Sequence, residues 1–144
     1  RAQLEEAANA LFVLSDTLLA EQMVQNAVVE LIIGINTDPL FGQYLVLGAG
    51  GILVDVLQDA QSVLLPTHKY AVKRVLSNLK CAPILMGYRG QAAADLDAIV
   101  DAVMAVLDYS QKMPVFELDI NPLLALKDGA VAVDALIQLG QQKP

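Results

Sequence analysis

Two carboxylates and a carboxamide near the end of the chain stand at spacings that could do chemistry: Asp119, Asn121 and, beyond an Asp128-Gly129 turn, Asp134. Asp-Gly between two apolar runs is a strong hairpin signal. Taking Asp128-Gly129 as the two-residue loop sets Asn121 opposite Leu136 and Asp134 opposite Leu123. Strand alternation then projects Asp119, Asn121 and Asp134 from one face. Asn121 and Asp134 become diagonal neighbours, about 7 Å apart at Cβ. Pro122 is a place where a bulge would shift that register. Spacing alone leaves two readings. Either the acids face water beside a turn begun by Asn121-Pro122, or three hard oxygen ligands converge on Mg²⁺, which takes a few carboxylates and completes its shell with waters and phosphates.

Other positions carry weaker signals. Gly48-Ala49-Gly50-Gly51 permits positive φ and a close approach of backbone N–H groups to an anion, or is simply a tight turn. Glu30 interrupts an apolar run, which costs free energy unless the carboxylate is paired, exposed or bound to a ligand. Arg89, between Gly87 and Gly90, is suited to clamping a phosphate or carboxylate, or to pinning its own loop to a nearby acid. His68 is the only imidazole and Cys81 the only thiol. No Ser-His-Asp or Cys-His arrangement and no zinc site of the usual kind can be assembled from them. Cys81 reads as a small buried hydrophobe.

The elements that must position these residues follow from periodicity. Leu4, Ala7, Ala8, Leu11 and Phe12 mark an amphipathic helix over residues 1–14. Residues 18–24 and 28–37 read as strands, followed by a turn at Asp38-Pro39 and Gly42. Further strands are expected over 43–47, 52–57 and 62–65. Thr67 is the expected N-cap of a helix reaching Leu79, and Asp95 begins the longest helix, through Lys112. The order is helix, strands, two helices and a hairpin. It implies an α+β (α/β) layer, a mostly antiparallel sheet packed with helices, rather than a βαβ repeat.

Composition bounds the partners. The chain has 144 residues, 56% hydrophobic, and a net charge of −7, with a mean hydropathy of +0.51. Glu30, Asp55, Asp97, Asp101 and Asp119 break any apolar run of the ~18 residues that a membrane helix needs. Nine Lys plus Arg, unclustered, argue against nucleic acid. One Cys excludes an internal disulfide and suits a reducing, cytoplasmic setting. So apolar a chain is expected to bury surface against further chain or a partner subunit, as an oligomer. The start at Arg1, without Met, suggests part of a longer protein, with residues 1–140 as one partial domain and 141–144 as a linker or tail.

Taken together the segments resemble the C-terminal part of the ATP-grasp domain of NDP-forming acyl-CoA synthetases. That group includes ADP-forming acetyl-CoA synthetase and is related to the succinyl-CoA synthetase β-subunit. The resemblance rests on Val29-Glu30-Leu31-Ile32-Ile33-Gly34, Asp38-Pro39-Leu40-Phe41-Gly42, and Gly48-Ala49-Gly50-Gly51 before Ile52-Leu53-Val54-Asp55-Val56. It continues in Gly87-Tyr88-Arg89-Gly90, Glu117-Leu118-Asp119-Ile120-Asn121-Pro122-Leu123 and Ala132-Val133-Asp134-Ala135.

This resemblance implies roles. Asn121 and Asp134 would bind Mg²⁺, with Asp119 a further ligand. Glu21, Met23 and Val24 would hold the adenine and ribose of ATP or ADP. Glu30, Gly50, Gly51 and Arg89 would line the phosphate end. The implied reaction turns acyl-CoA, phosphate and a nucleoside diphosphate into acid, CoA and the triphosphate, through a phosphohistidine carried by another domain or subunit. The CoA-binding and ligase domains are then the implied partners, and the chain by itself would be inactive. The same resemblance leaves an alternative, a regulatory ATP-grasp-like module fused to an acetyltransferase. A non-catalytic assembly domain is a third reading, supported by the apolar content alone.

Overall fold

A computed structural model describes residues 2–51, 54 and 58–140. Its order is α1 (Ala2–Leu11), β1 (Val29–Asp38), β2 (Gly42–Ala49), β3 (Ala60–Leu64), α2 (Lys69–Asn78), α3 (Ala82–Leu85), α4 (Leu96–Lys112), β4 (Val115–Leu126), β5 (Gly129–Ala132) and β6 (Ala135–Leu139). The tail 141–144 lies outside the described residues. So does the expected strand over 52–57, except Val54, which is helical and accepts the Gln58 N–H (3.0 Å).

The sheet runs β3-β2-β1-β4-β5, and β6 pairs with β4 beside β5. Among the described residues every strand pairing is antiparallel, the α+β layer that the sequence implied. Alternation sorts β1 cleanly. Val29, Leu31, Ile33 and Ile35 enter the core, while Glu30 and Asn36 face the other way. Helices cover the core face: α2 buries Val72, Val75 and Leu76, and α4 buries Ile99, Val100, Val103 and Leu107. At roughly 1.5–3 kcal/mol per fully buried aliphatic side chain, this one layer outweighs the surface ion pairs Lys69–Asp101 and Lys73–Asp97 that tie α2 to α4.

Three expectations need correction. Residues 18–24 form no strand, despite their β-compatible composition. They find no ladder partner and lie instead across one edge of the open face. The cap of α2 is His68 rather than Thr67, its Nδ1 accepting the Ala71 N–H (3.1 Å). The sole imidazole therefore serves a helix end. In the closing hairpin, Leu126 pairs with Gly129 and Leu123 with Ala132, so the loop is Lys127-Asp128. The register is displaced by two residues from that expected, an even shift that by itself keeps the alternation of faces.

Candidate functional site

The open face of the sheet collects the polar residues. On β4, Glu117, Asp119 and Asn121 point away from the core, which takes Leu118 and Ile120. Asp119 lies across from Gly34 on β1 and from Leu136 on β6. Between β5 and β6, the Asn121 N–H donates to the Asp134 carbonyl (3.3 Å) and the Val133 N–H to the Pro122 carbonyl (3.1 Å). The two-residue displacement thus makes Asn121 and Asp134 direct partners across the ladder rather than diagonal ones. A bulge is present at Asn121-Pro122, but against β1 and without the expected shift of the hairpin register. Leu31 pairs with Leu123 and Ile33 with Ile120, so β4 carries one extra residue there.

The electrostatics of this face fit a cation. Burial, then the Glu117 carboxylate, then that of Asp134, hold the Asp119 carboxyl above the usual carboxylate range. Among the described residues, none of these three carboxylates belongs to the ion pairs Lys69–Asp101, Lys73–Asp97 and Lys112–Asp108. Among the described residues, no three His, Cys, Asp or Glu side chains form a closed metal cage. Asn121 with two carboxylates is instead the kind of open donor set that suits Mg²⁺, whose shell keeps waters and phosphate oxygens.

Two cavities border the same face. One of about 580 Å³ is lined by Glu21, Gln22, Met23 and Val24 on one side and Leu124, Val131, Ala132 and Val133 on the other. Its lining ends at Val133, the residue before Asp134. The second, about 400 Å³, is lined by residues 27–29, Glu30, Gly50, Gly51 and Ile84. They adjoin where Glu30 pairs with Leu124. The Gly50 N–H donates to the Glu30 carbonyl (2.7 Å). Gly51 has φ +58°, and a Cβ there would collide with the Glu30 carboxylate. Glycine is required at that point both by backbone and by the overlying side chain.

The sequence-predicted residues thus fall into three groups that share one face: Asp119, Asn121 and Asp134; Glu21, Met23 and Val24; and Glu30, Gly50 and Gly51. Arg89 is not brought to them. It lines neither cavity, sits at φ +50° between Gly87 and Gly90, and carries its guanidinium 5.3 Å above the Tyr88 ring. Sequence reasoning overlooked Glu117, although it shares the period-2 face of Asp119 and Asn121. It also overlooked Asp59, which is buried and has no local signal. Cys81 is buried, and burial followed by the neighbouring Asp59 pushes its thiol up to about 11, so it is no nucleophile.

The antiparallel layer, its hairpin floor and its flanking cavities have a counterpart in known proteins. The chain belongs to the ATP-grasp domain family, whose sequence pattern matches residues 5–139. It is 36% identical over 107 residues to the beta subunit of ADP-forming acetate–CoA ligase I of Pyrococcus furiosus, a match covering 74% of this chain and 46% of that subunit. Against ADP-forming acetate–CoA ligase I of Archaeoglobus fulgidus it is 35% identical over 126 residues, covering 87% of this chain and 18% of that protein. A solved structure of dinucleotide forming acetyl-coenzyme A synthetase 1 from Ca. Korarchaeum cryptofilum superimposes with a TM-score of 0.84 at 30% identity, over 94% of this chain and 64% of that one. That structure holds coenzyme A and Mg-AMPPCP, with a phosphohistidine segment pointing towards the nucleotide binding site. The chain spans about half the length of the Pyrococcus beta subunits it matches.

Proposed function

We propose that the chain is the Mg-nucleotide-binding part of an NDP-forming acyl-CoA synthetase, exchanging a phosphoryl group between a nucleotide and a histidine carried elsewhere in the protein or assembly. The observation that carries this is the backbone pairing of Asn121 with Asp134, on the strand of Asp119 and next in sequence to Val133, which lines a cavity of about 580 Å³. Bound Mg²⁺ would supply charge neutralisation between nucleotide and transferred phosphoryl oxygens. Asn121 and Asp134 would hold that ion, with Asp119 as a third donor. The hairpin fixes the two strands that present them, so little reorganisation is needed when charge develops.

In this reading the apolar walls of Leu124 and Val131 receive the base, while residues 21–24 offer backbone groups and the Glu21 carboxylate to its polar edges. Glu30, Gly50 and Gly51 bound the adjoining part of the nucleotide. Arg89 stands outside both cavities, and its phosphate role has no geometric support. The partners would be the CoA-binding and ligase portions of the same synthetase, which supply the histidine and the acyl phosphate. In the full-length protein, Asn121→Ala and Asp134→Ala are each expected to abolish Mg-ATP-dependent histidine phosphorylation, read by acid-labile phosphate incorporation. Phosphorylation surviving both substitutions would overturn the metal assignment.

A further inference from the structure

We propose that Asp59 is a positioning residue that holds together the two walls of the Glu30 cavity, an inference that rests on reading this cavity as part of the nucleotide site. Asp59 is the one buried charged side chain among the described residues, 7% exposed, and neither Mg²⁺ binding nor catalysis uses it. It makes two attachments in different directions. Its carbonyl accepts the Ala49 N–H (2.9 Å), immediately before Gly50 and Gly51, the glycine wall. Its carboxylate Oδ2 accepts the Cys81 N–H (3.0 Å), at the start of α3, whose Ile84 lines the same cavity.

The neighbours are shaped around this contact. A Cβ on Gly48 would stand 2.7 Å from the Asp59 carbonyl and 3.1 Å from the Ala60 Cβ, so β2 can approach Asp59 this closely only with glycine there. On the other side, the Cys81 amide is in a fully buried residue and would be left without its acceptor if the carboxylate were removed, a costly vacancy. One residue therefore sets the separation between the glycine loop and α3. Those walls belong to distant parts of the chain.

The test uses the full-length protein with Asp59→Ala and Asp59→Asn, the latter keeping a carbonyl acceptor for Cys81. Amide exchange is read at Gly50 in one wall and at Leu85 and Met86 in the other, with Ile33 in the sheet centre as the control for global unfolding. In Asp59→Ala, protection should fall about tenfold at both walls while Ile33 is unchanged, the shift expected for losing one hydrogen bond to a charged group. Asp59→Asn should recover most of it. The dissociation constant for Mg-ADP should rise in the Ala variant and return in the Asn variant. If Asp59→Ala does not fold, Gly48→Ala presses on the same carbonyl and should loosen the glycine wall. Unchanged protection at either wall, or equal loosening at Ile33, would overturn the proposal. Loosened walls with unchanged Mg-ADP affinity would instead overturn the assignment of this cavity to the nucleotide.

Discussion

Asp119→Asn separates the two consequences of the crowded carboxylates. The amide keeps the shape of the side chain and removes its charge. Without metal, the Asp119 carboxyl is held high by burial first, then by Glu117 and Asp134, so its ionised form is unfavourable in the folded chain. Partly exposed charge pairs are worth about 0.2–1 kcal/mol each. Relief from two like-charge neighbours therefore comes to about 1 kcal/mol. In a chain of 144 residues, that raises Tm by roughly 3 °C. The pH dependence has a definite sign. Because folding raises this pKa, the favourable contribution of Asp119 is fully present below its unfolded value of ~3.9 and is lost as pH rises through the folded value. The advantage of the variant in EDTA should thus be present at pH 7 and vanish as pH falls below ~4. Adding Mg²⁺ with nucleotide should invert the order, because the wild type gains more by mass action from a ligand it binds better. Thermal unfolding followed by circular dichroism measures all three conditions. A variant less stable than the wild type in EDTA at pH 7 would refute the electrostatic argument. An unchanged order with Mg²⁺ and nucleotide would refute a ligand role for Asp119.

Two further outcomes follow from packing and burial. Leu107→Ala, on the sheet-facing stripe of α4 and 2% exposed, should cost about 2–5 kcal/mol, measured by urea unfolding; a loss under about 1 kcal/mol would mean that α4 is not part of the cooperative core. The Cys81 thiol, buried and pushed up to about 11, should resist iodoacetamide at pH 8 in the folded chain and react once urea is added, as mass spectrometry would report.

Much of this was legible in the residues because β1 keeps its alternation. Val29, Leu31, Ile33 and Ile35 against Glu30 and Asn36 is a period that cannot be read as a helix, and Asp95 caps α4 as its type suggests, accepting the Ala98 N–H (3.0 Å). Residues 18–24 misled because strand propensity describes a side chain's fit to a pleated surface, and this segment lies beside a ladder without joining one. The α2 cap was misplaced by a single residue because an imidazole Nδ1 accepts an amide N–H as a threonine oxygen would. Asp59 was invisible for a different reason. Its value comes from Ala49 and Cys81, ten and 22 residues away along the chain, and no local pattern encodes a meeting of that kind.

The hairpin floor owes the pairing of its residues to the turn and their facing to the extra residue in β4. Core positions on this strand are even-numbered at Leu118 and Ile120, then odd-numbered at Leu123 and Ala125. An uninterrupted strand cannot do that, since its side chains alternate with period two. The added residue at Asn121-Pro122 resets the parity, so β4 can send Asp119 and Asn121 to the open face and still bury Leu123 and Ala125 against the helices. The return strand follows β4 past this point in unbroken register, bonded through the Asp134 and Pro122 carbonyls between β5 and β6. Asn121 and Asp134 meet because the register set at the turn runs unbroken from Leu126–Gly129 to Glu117–Gln138, while the bulge against β1 turns Asn121 to the open face. A two-residue error in the turn preserved their common face, whereas a one-residue error would have sent Asp134 into the core. The chemistry of the face is thus tied to a feature that periodicity alone treats as a fault.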